Sequence, residues 1–334
     1  MGVDRWLGGV VVAGAVWTNL KDPDDSDLAT VLPKRPHQIA VERLSQTEKY
    51  IEEAFPSLGS HKSDSTDTYL FGELAFPVFD PEAESIGTIS VRLVVDFDRL
   101  VTVIRTPEGL PQGVGMPDLS DLPSPGSDLE AGACMWLLLD RVAREIRDLV
   151  KAAEVRAEQV ENPLIYDEKP PPDCRRQLAQ LRNQFLQLGT LIHPTLSVVE
   201  AIIADELDLR DGSDENKRDL FTRDTEIHLI SVRNMLRHAL QRTNYWTDNL
   251  QTLQDSLSDY LNREQAKSGN RLAAVASIML LPTFLVGLYG MNIDSGYFPE
   301  FGWLNGYLLA WILIVVITVV QVVVFRRKGW LSSR

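Results

Sequence analysis

Polar and apolar residues segregate sharply along this chain. Near its C-terminal end lie two uncharged apolar runs, Leu272–Tyr289 and Leu304–Phe325, separated by a polar segment that opens with Gly290-Met291-Asn292 and followed by Arg326-Arg327-Lys328. As helices the first, about 18 residues, rises about 27 Å and the second, about 22 residues, rather more, so each is long enough to cross a bilayer. Two such stretches in succession predict a membrane hairpin rather than a soluble core. Upstream, Leu229, Val232, Leu236, Ala239, Thr243, Trp246, Leu250, Leu253, Leu257 and Tyr260 recur at alternating steps of three and four, a heptad pattern. The stretch from Asn216 to Lys267 contains no proline or glycine, so it predicts one helix that runs on into the first apolar run, on the order of 100 Å in all. An ordinary coiled coil or a stalk of several copies would each satisfy the pattern.

Further helices are expected at Asp128–Asn162 and Asp173–Ile203, joined by a linker at Glu161–Pro172 that contains Pro-Pro-Pro. Leu110–Pro125, rich in Pro, Gly and Ser, separates them from an earlier α/β part. The short apolar run Trp6–Trp17 is too short to span and lacks a cleavage site, so one buried β-strand is expected there. The resulting division is 1–127 (α/β), 128–271 (helical, including the stalk), 272–289 (first membrane helix), 290–303 (outer loop), 304–325 (second membrane helix) and 326–334 (basic tail).

Basic residues set an expected orientation. Arg263, Lys267 and Arg271 precede the first run, and Arg326, Arg327, Lys328 and Arg334 follow the second. The loop Ile293–Trp303 has no Lys or Arg but carries Asp294 and Glu300. The positive-inside rule then places both termini in the cytoplasm, with the acidic loop outside. Tyr289, Tyr297, Trp303 and Tyr307 at one edge and Trp330 at the other form the pattern of an aromatic belt. The second run is Leu/Ile/Val-rich all round, as lipid exposure requires. The first has a narrow stripe of mostly small residues, Gly287, Thr283, Leu280, Ala276 and Leu272, which fits a helix-packing seam and a pore lining equally well. Pro282 within it removes a backbone donor and frees a carbonyl about one turn earlier.

The formal net charge is −14 over 334 residues, which argues against nucleic acid as a partner. It fits a handler of cations, and equally a chain kept soluble by repulsion. Cys134 and Cys174 have neither CxxC spacing nor a nearby histidine pair, so reduced thiols are expected and no zinc site. His193, His228 and His238 lack HxxxH or HExxH spacing. Without a nucleophile–base constellation or a phosphate-binding Gly loop, an enzyme is not expected. Asp205–Glu226 holds about nine acidic residues, most simply a solvated turn and helix.

Tyr289-Gly290-Met291-Asn292 closing a proline-containing run, a short acidic loop with Pro299-Glu300, a second apolar run and a basic tail ending Lys328-Gly329-Trp330-Leu331 together resemble the CorA-type magnesium transporter family (the two-span GxN family). Trp17-Thr18-Asn19-Leu20-Lys21-Asp22-Pro23 looks like that family's opening element, and Ile89–Val95 and Leu100–Arg105 like its paired strands.

The resemblance implies a homopentameric funnel in the cell membrane, with an N-terminal α/β cytoplasmic domain and a stalk helix continuous with the first of two membrane helices. It implies magnesium as both transported and regulatory ion. Gly290, Met291 and Asn292 become the selectivity filter: Asn292 greets the hydrated ion, Gly290 supplies an unusual backbone conformation and Met291 shapes the loop. Magnesium dehydrates reluctantly, so amide oxygens that bond its water suit it. The family's pore positions fall on the same five stripe residues, with Leu280 and Leu272 as apolar rings that close the path by dewetting. Asp294 and Glu300 would concentrate cations at the outer mouth. Asp208, Asp211 and Asp214 are the candidates for a regulatory metal site. Where the family often has polar Asn and Met rings below the membrane this chain has Ala266 and Gly269, and Ser268-Gly269-Asn270 is expected to loosen the helix. Two rivals stay open: a zinc, cobalt or nickel transporter on the same scaffold, and a membrane-anchored sensor that conducts nothing.

Overall fold

The structure, a computed structural model, describes residues 9–11, 16–32, 38–46, 57–62, 68–111, 113–117, 119, 130–166, 169–207, 209, 219–290 and 306–331. The N-terminal apolar run doubles back instead of forming one strand: β1 (Gly9–Val11) and β2 (Val16–Lys21) are antiparallel, Val11 opposite Val16. Gly14 interrupts the run in sequence, and glycine weakens a strand interior. The remaining strands are β3 (Ser57–Lys62), β4 (Thr68–Asp80), β5 (Ser85–Val95) and β6 (Arg99–Ile104). They form one six-stranded sheet in the order β1-β2-β6-β5-β4-β3, in which the β2–β6 pair is parallel and the others antiparallel. Asp80 fixes the β4–β5 hairpin by accepting from the backbone N–H groups of Glu82 and Ala83 at 2.9 and 3.1 Å.

Strand residues on both faces are buried, as a sheet between two helical layers requires. One face (Tyr69, Phe71, Val94, Val101 and Val103) packs with Leu28 and Leu32 at α1 (Asp25–Val31) and with Leu44 of α2 (Gln38–Ser45). The long helices α3 (Ala131–Tyr166) and α4 (Cys174–Ile203) also contact the sheet, and Gln187 of α4 accepts from the Ile86 N–H at 3.0 Å. At the β2–β6 seam, Trp17 Nε1 donates to Thr102 Oγ1 at 3.1 Å, and that hydroxyl donates to Asn19 Oδ1 at 3.0 Å.

Two boundaries and one expected break differ from expectation. Helix α3 runs through Pro163 to Tyr166, so the linker starts later than Glu161. A proline in the last turn removes only one backbone donor, and the Pro-Pro-Pro segment that follows ends the helix. The stalk helix α5 starts at Arg223 rather than Asn216 and continues to Tyr289, 67 residues, about 100 Å at the usual rise. It passes unbroken through Ser268-Gly269-Asn270, so the expected loosening is absent: glycine keeps its N–H, and nothing lies within 4 Å of a Cβ at Gly269.

The heptad stripe has an intrachain partner. Leu229, Val232, Leu236, Thr243, Trp246 and Leu250 are buried within the single chain. Trp246 stacks on Phe185 of α4 with centroids 6.2 Å apart, and Arg237 and Arg242 of α5 pair with Glu200 of α4 and Glu154 of α3. Any helix neighbour satisfies a three-four repeat, and here α3 and α4 supply it. The chain divides into two compact units, Met1–Gln254 and Asp255–Arg334.

Candidate functional site

The C-terminal unit holds the end of α5 and helix α6 (Gly306–Arg327). Both pass the length and composition test for a membrane span. Helix α4 passes it too, but its apolar window is half buried inside the N-terminal unit.

The two C-terminal helices meet along one stripe each. On α6 the half-buried positions are Ala310, Ile314, Ile317, Thr318, Gln321, Val322 and Phe325, at steps of three and four. On α5, Ala274 is fully buried, and Ser277, Ile278, Pro282, Leu285 and Leu288 are half-buried. The sequence-predicted stripe is elsewhere: Leu272, Ala276, Leu280, Thr283 and Gly287 are all exposed, Leu272 and Leu280 to 71%. At about 100° per residue the centres of these two faces lie about 165° apart, so the stripe points away from α6. The seam that joins α5 to α6 is therefore a different set of residues from the proposed lining.

Around Pro282 the backbone has lost one helical donor, to the Ile278 carbonyl. The next carbonyl, of Met279, accepts the Thr283 hydroxyl at 2.7 Å. That bond turns the hydroxyl proton inward and leaves oxygen lone pairs on the exposed face. The helix ends with the Gly290 N–H on the Val286 carbonyl at 2.9 Å. Gly290 is not among the positive-φ residues, so the unusual conformation expected of it is not seen. A Cβ there would sit 3.1 Å from the Val286 oxygen, so crowding against the preceding turn favours glycine. Met291, Asn292, Asp294 and Glu300 lie outside the described residues, as do Tyr297, Trp303, Asp208, Asp211 and Asp214. Among the described residues no group of three His, Cys, Asp or Glu is placed to hold a metal.

Past α6 the chain makes a Schellman-type cap: Gly329 takes φ +73° and the Trp330 N–H reaches the Phe325 carbonyl at 2.9 Å. Trp330 stacks on Phe325, centroids 5.4 Å apart, with Lys328 Nζ 5.4 Å from the Trp330 ring. The basic tail thus begins as a folded turn. His228 stacks on Trp136 of α3 at 4.3 Å, a packing role, and both cysteines are buried. Desolvation pushes the Cys134 thiol up to about 11. One pair was not anticipated: Gln321 of α6 donates to Ser277 of α5. Its sequence signal is an amide in an otherwise apolar run.

Known structures share this architecture. The structure of the CorA magnesium transporter from Methanocaldococcus jannaschii superposes with a TM-score of 0.67 at 16% identity, covering 95% of this chain and 92% of that one. At this identity the likeness establishes the fold alone: a mixed-sheet domain, a long helix and an apolar C-terminal helix. The chain belongs to the family described as CorA-like Mg2+ transporter protein, whose model matches residues 13–327. Among curated relatives, the cobalt/magnesium transport protein CorA of Thermotoga maritima is 24% identical over 204 residues, 59% of this chain and 52% of that protein. The divalent cation transporter CmaX of Pseudomonas aeruginosa is 23% identical over 252 residues, 75% of this chain and 70% of that protein. The first of these matches thus spans about half of the relative's length.

Proposed function

We propose that this chain is a channel-like magnesium transporter of the cell membrane that works as a homopentamer. The observation that carries the reading is the exposed stripe Leu272, Ala276, Leu280, Thr283 and Gly287, on the face of α5 turned away from α6 and leading to Gly290-Met291-Asn292. In this reading α5 lines a central path and α6 stands outside it toward lipid. Both termini are cytoplasmic. Asn292 from each copy receives the hydrated ion at the outer mouth by hydrogen-bonding its water. Asp294 and Glu300 draw cations there. Leu280 and Leu272 close the path when it dewets, and Thr283 is a polar step between apolar rings.

Two elementary charges moving inward through 100 mV gain about 4.6 kcal/mol, enough to drive entry without nucleotide hydrolysis. Asp208, Asp211 and Asp214 supply cytosolic magnesium sensing: bound ion holds like-charged segments together, and its loss releases them.

In liposomes holding the purified chain, magnesium flux is expected, and Asn292→Ala is expected to cut it at least tenfold, the loss of about 1.4 kcal/mol of ion stabilisation. Full flux in that variant removes the filter assignment, and absence of flux in the parent returns the chain to the non-conducting sensor. A second reading, a broader divalent-cation transporter, has support in the name of the CmaX relative. Competition of magnesium flux by cobalt, nickel and zinc decides between them.

A further inference from the structure

Helix α6 carries one amide in its apolar run, Gln321, and that amide faces α5. Its Nε2 lies 3.2 Å from Ser277 Oγ and 3.4 Å from the Ser277 carbonyl oxygen. Its Oε1 is buried without a partner among the described residues. Where water is excluded, a polar side chain is held strongly to whatever partner it has. Thr318, one turn earlier on the same face, spends its hydroxyl on the Ile314 carbonyl of its own helix at 2.8 Å. Gln321 therefore makes a polar contact from α6 to α5.

Its grip falls at a particular place. Ser277 follows Ala276 of the exposed stripe and precedes Ile278, whose carbonyl Pro282 leaves without its helical donor. Helices bend and rotate most easily at such a break. A turn of α5 by one residue position, about 100°, would replace Leu280 on the face opposite α6 with Met279 or Leu281. We propose that Gln321 is a positioning residue that fixes the rotation of α5 through Ser277, and so selects which side chains line the ion path. The inference rests on the reading that the exposed stripe is that lining.

The test uses the full chain in liposomes, with single cysteines introduced at Leu280 or Met279 and labelled by a water-soluble thiol reagent. Buried Cys134 and Cys174 remain as background, resolved by peptide mass spectrometry. Leu280→Cys is expected to react faster than Met279→Cys. Adding Gln321→Leu is expected to lower that ratio about threefold, the size of one interhelical hydrogen bond in a bilayer. Ser277→Ala added to Gln321→Leu is expected to lower it no further, because the two act as one contact. Gln321→Glu supplies a readout that simple packing does not move. Neither apolar run contains a charged residue, so the introduced acid is the group that titrates there. Its protonated form donates to Ser277 and keeps the parent ratio, whereas its carboxylate loses the bond as pH rises. An unequal ratio that ignores Gln321→Leu, or a Gln321→Glu ratio flat with pH, overturns this inference alone. Equal labelling at the two positions in the parent overturns the lining stripe and this inference with it.

Discussion

A Cβ at Gly132 would stand 2.0 Å from the Leu220 carbonyl oxygen and 3.0 Å from its carbon. Those are backbone atoms of the segment that leads into α5, so no side-chain rotation relieves the clash. Gly132→Ala is expected to cost about 1–3 kcal/mol, the range for overpacking a close contact. That lowers the thermal midpoint of the detergent-solubilised chain by several degrees, read by intrinsic Trp fluorescence. An unchanged midpoint would mean that the Leu220 segment is free to move off α3. Gly189 offers the contrast, since a Cβ there meets Thr243 Cγ2 at 3.8 Å, an ordinary contact. Nothing in the sequence distinguished these two glycines. The requirement at Gly132 comes from a chain segment far along the sequence, and local pattern carries no record of such approaches. Gly290 was legible as a special glycine, but for a different reason from the one found: crowding by the Val286 oxygen rather than a left-handed backbone.

Among the elements, periodicity identified the stalk helix, because a continuous apolar stripe and an absence of breakers depend only on local spacing. It did not identify partners. The α5 stripe through Leu250 packs on α3 and α4 of its own chain, since a seam written as three-four repeats is the same whichever helix fills it. Proline and glycine interrupt these helices less than their positions in the sequence suggest. Helix α3 absorbs Pro163 in its last turn, and α5 absorbs Gly269. Gly269→Ala is expected to stabilise α5 by about 1 kcal/mol from helix propensity alone, because the added methyl meets nothing within 4 Å in the chain. Amide hydrogen exchange at 267–272 should slow about fivefold. If exchange slows while magnesium flux falls, the soft point at Gly269 serves opening, and rigidity there is a functional cost.

At the scale of the whole molecule, the C-terminal helices leave two kinds of surface uncovered. The outer side of α6 exposes Val315, Val319 and Val320, each to 55%. It is apolar without interruption, and lipid satisfies it. The exposed stripe of α5 mixes Leu272 and Leu280 with Ala276, Gly287 and the Thr283 hydroxyl. Small residues let copies of a helix approach closely, and a hydroxyl gains nothing from lipid. A ring of copies with this stripe toward a common axis covers it, and the outer side of α6 then faces the bilayer. Native mass spectrometry is expected to give five copies. Under mild oxidation Leu280→Cys should form disulfide-linked dimers between copies, because a ring narrow enough to close by dewetting brings these positions together. Val319→Cys, at a position that is also exposed in the single chain, should remain monomeric on a denaturing gel. Dimers at Val319 without dimers at Leu280 would place α6 inside and α5 outside, and Asn292 would then follow a helix that no ion passes.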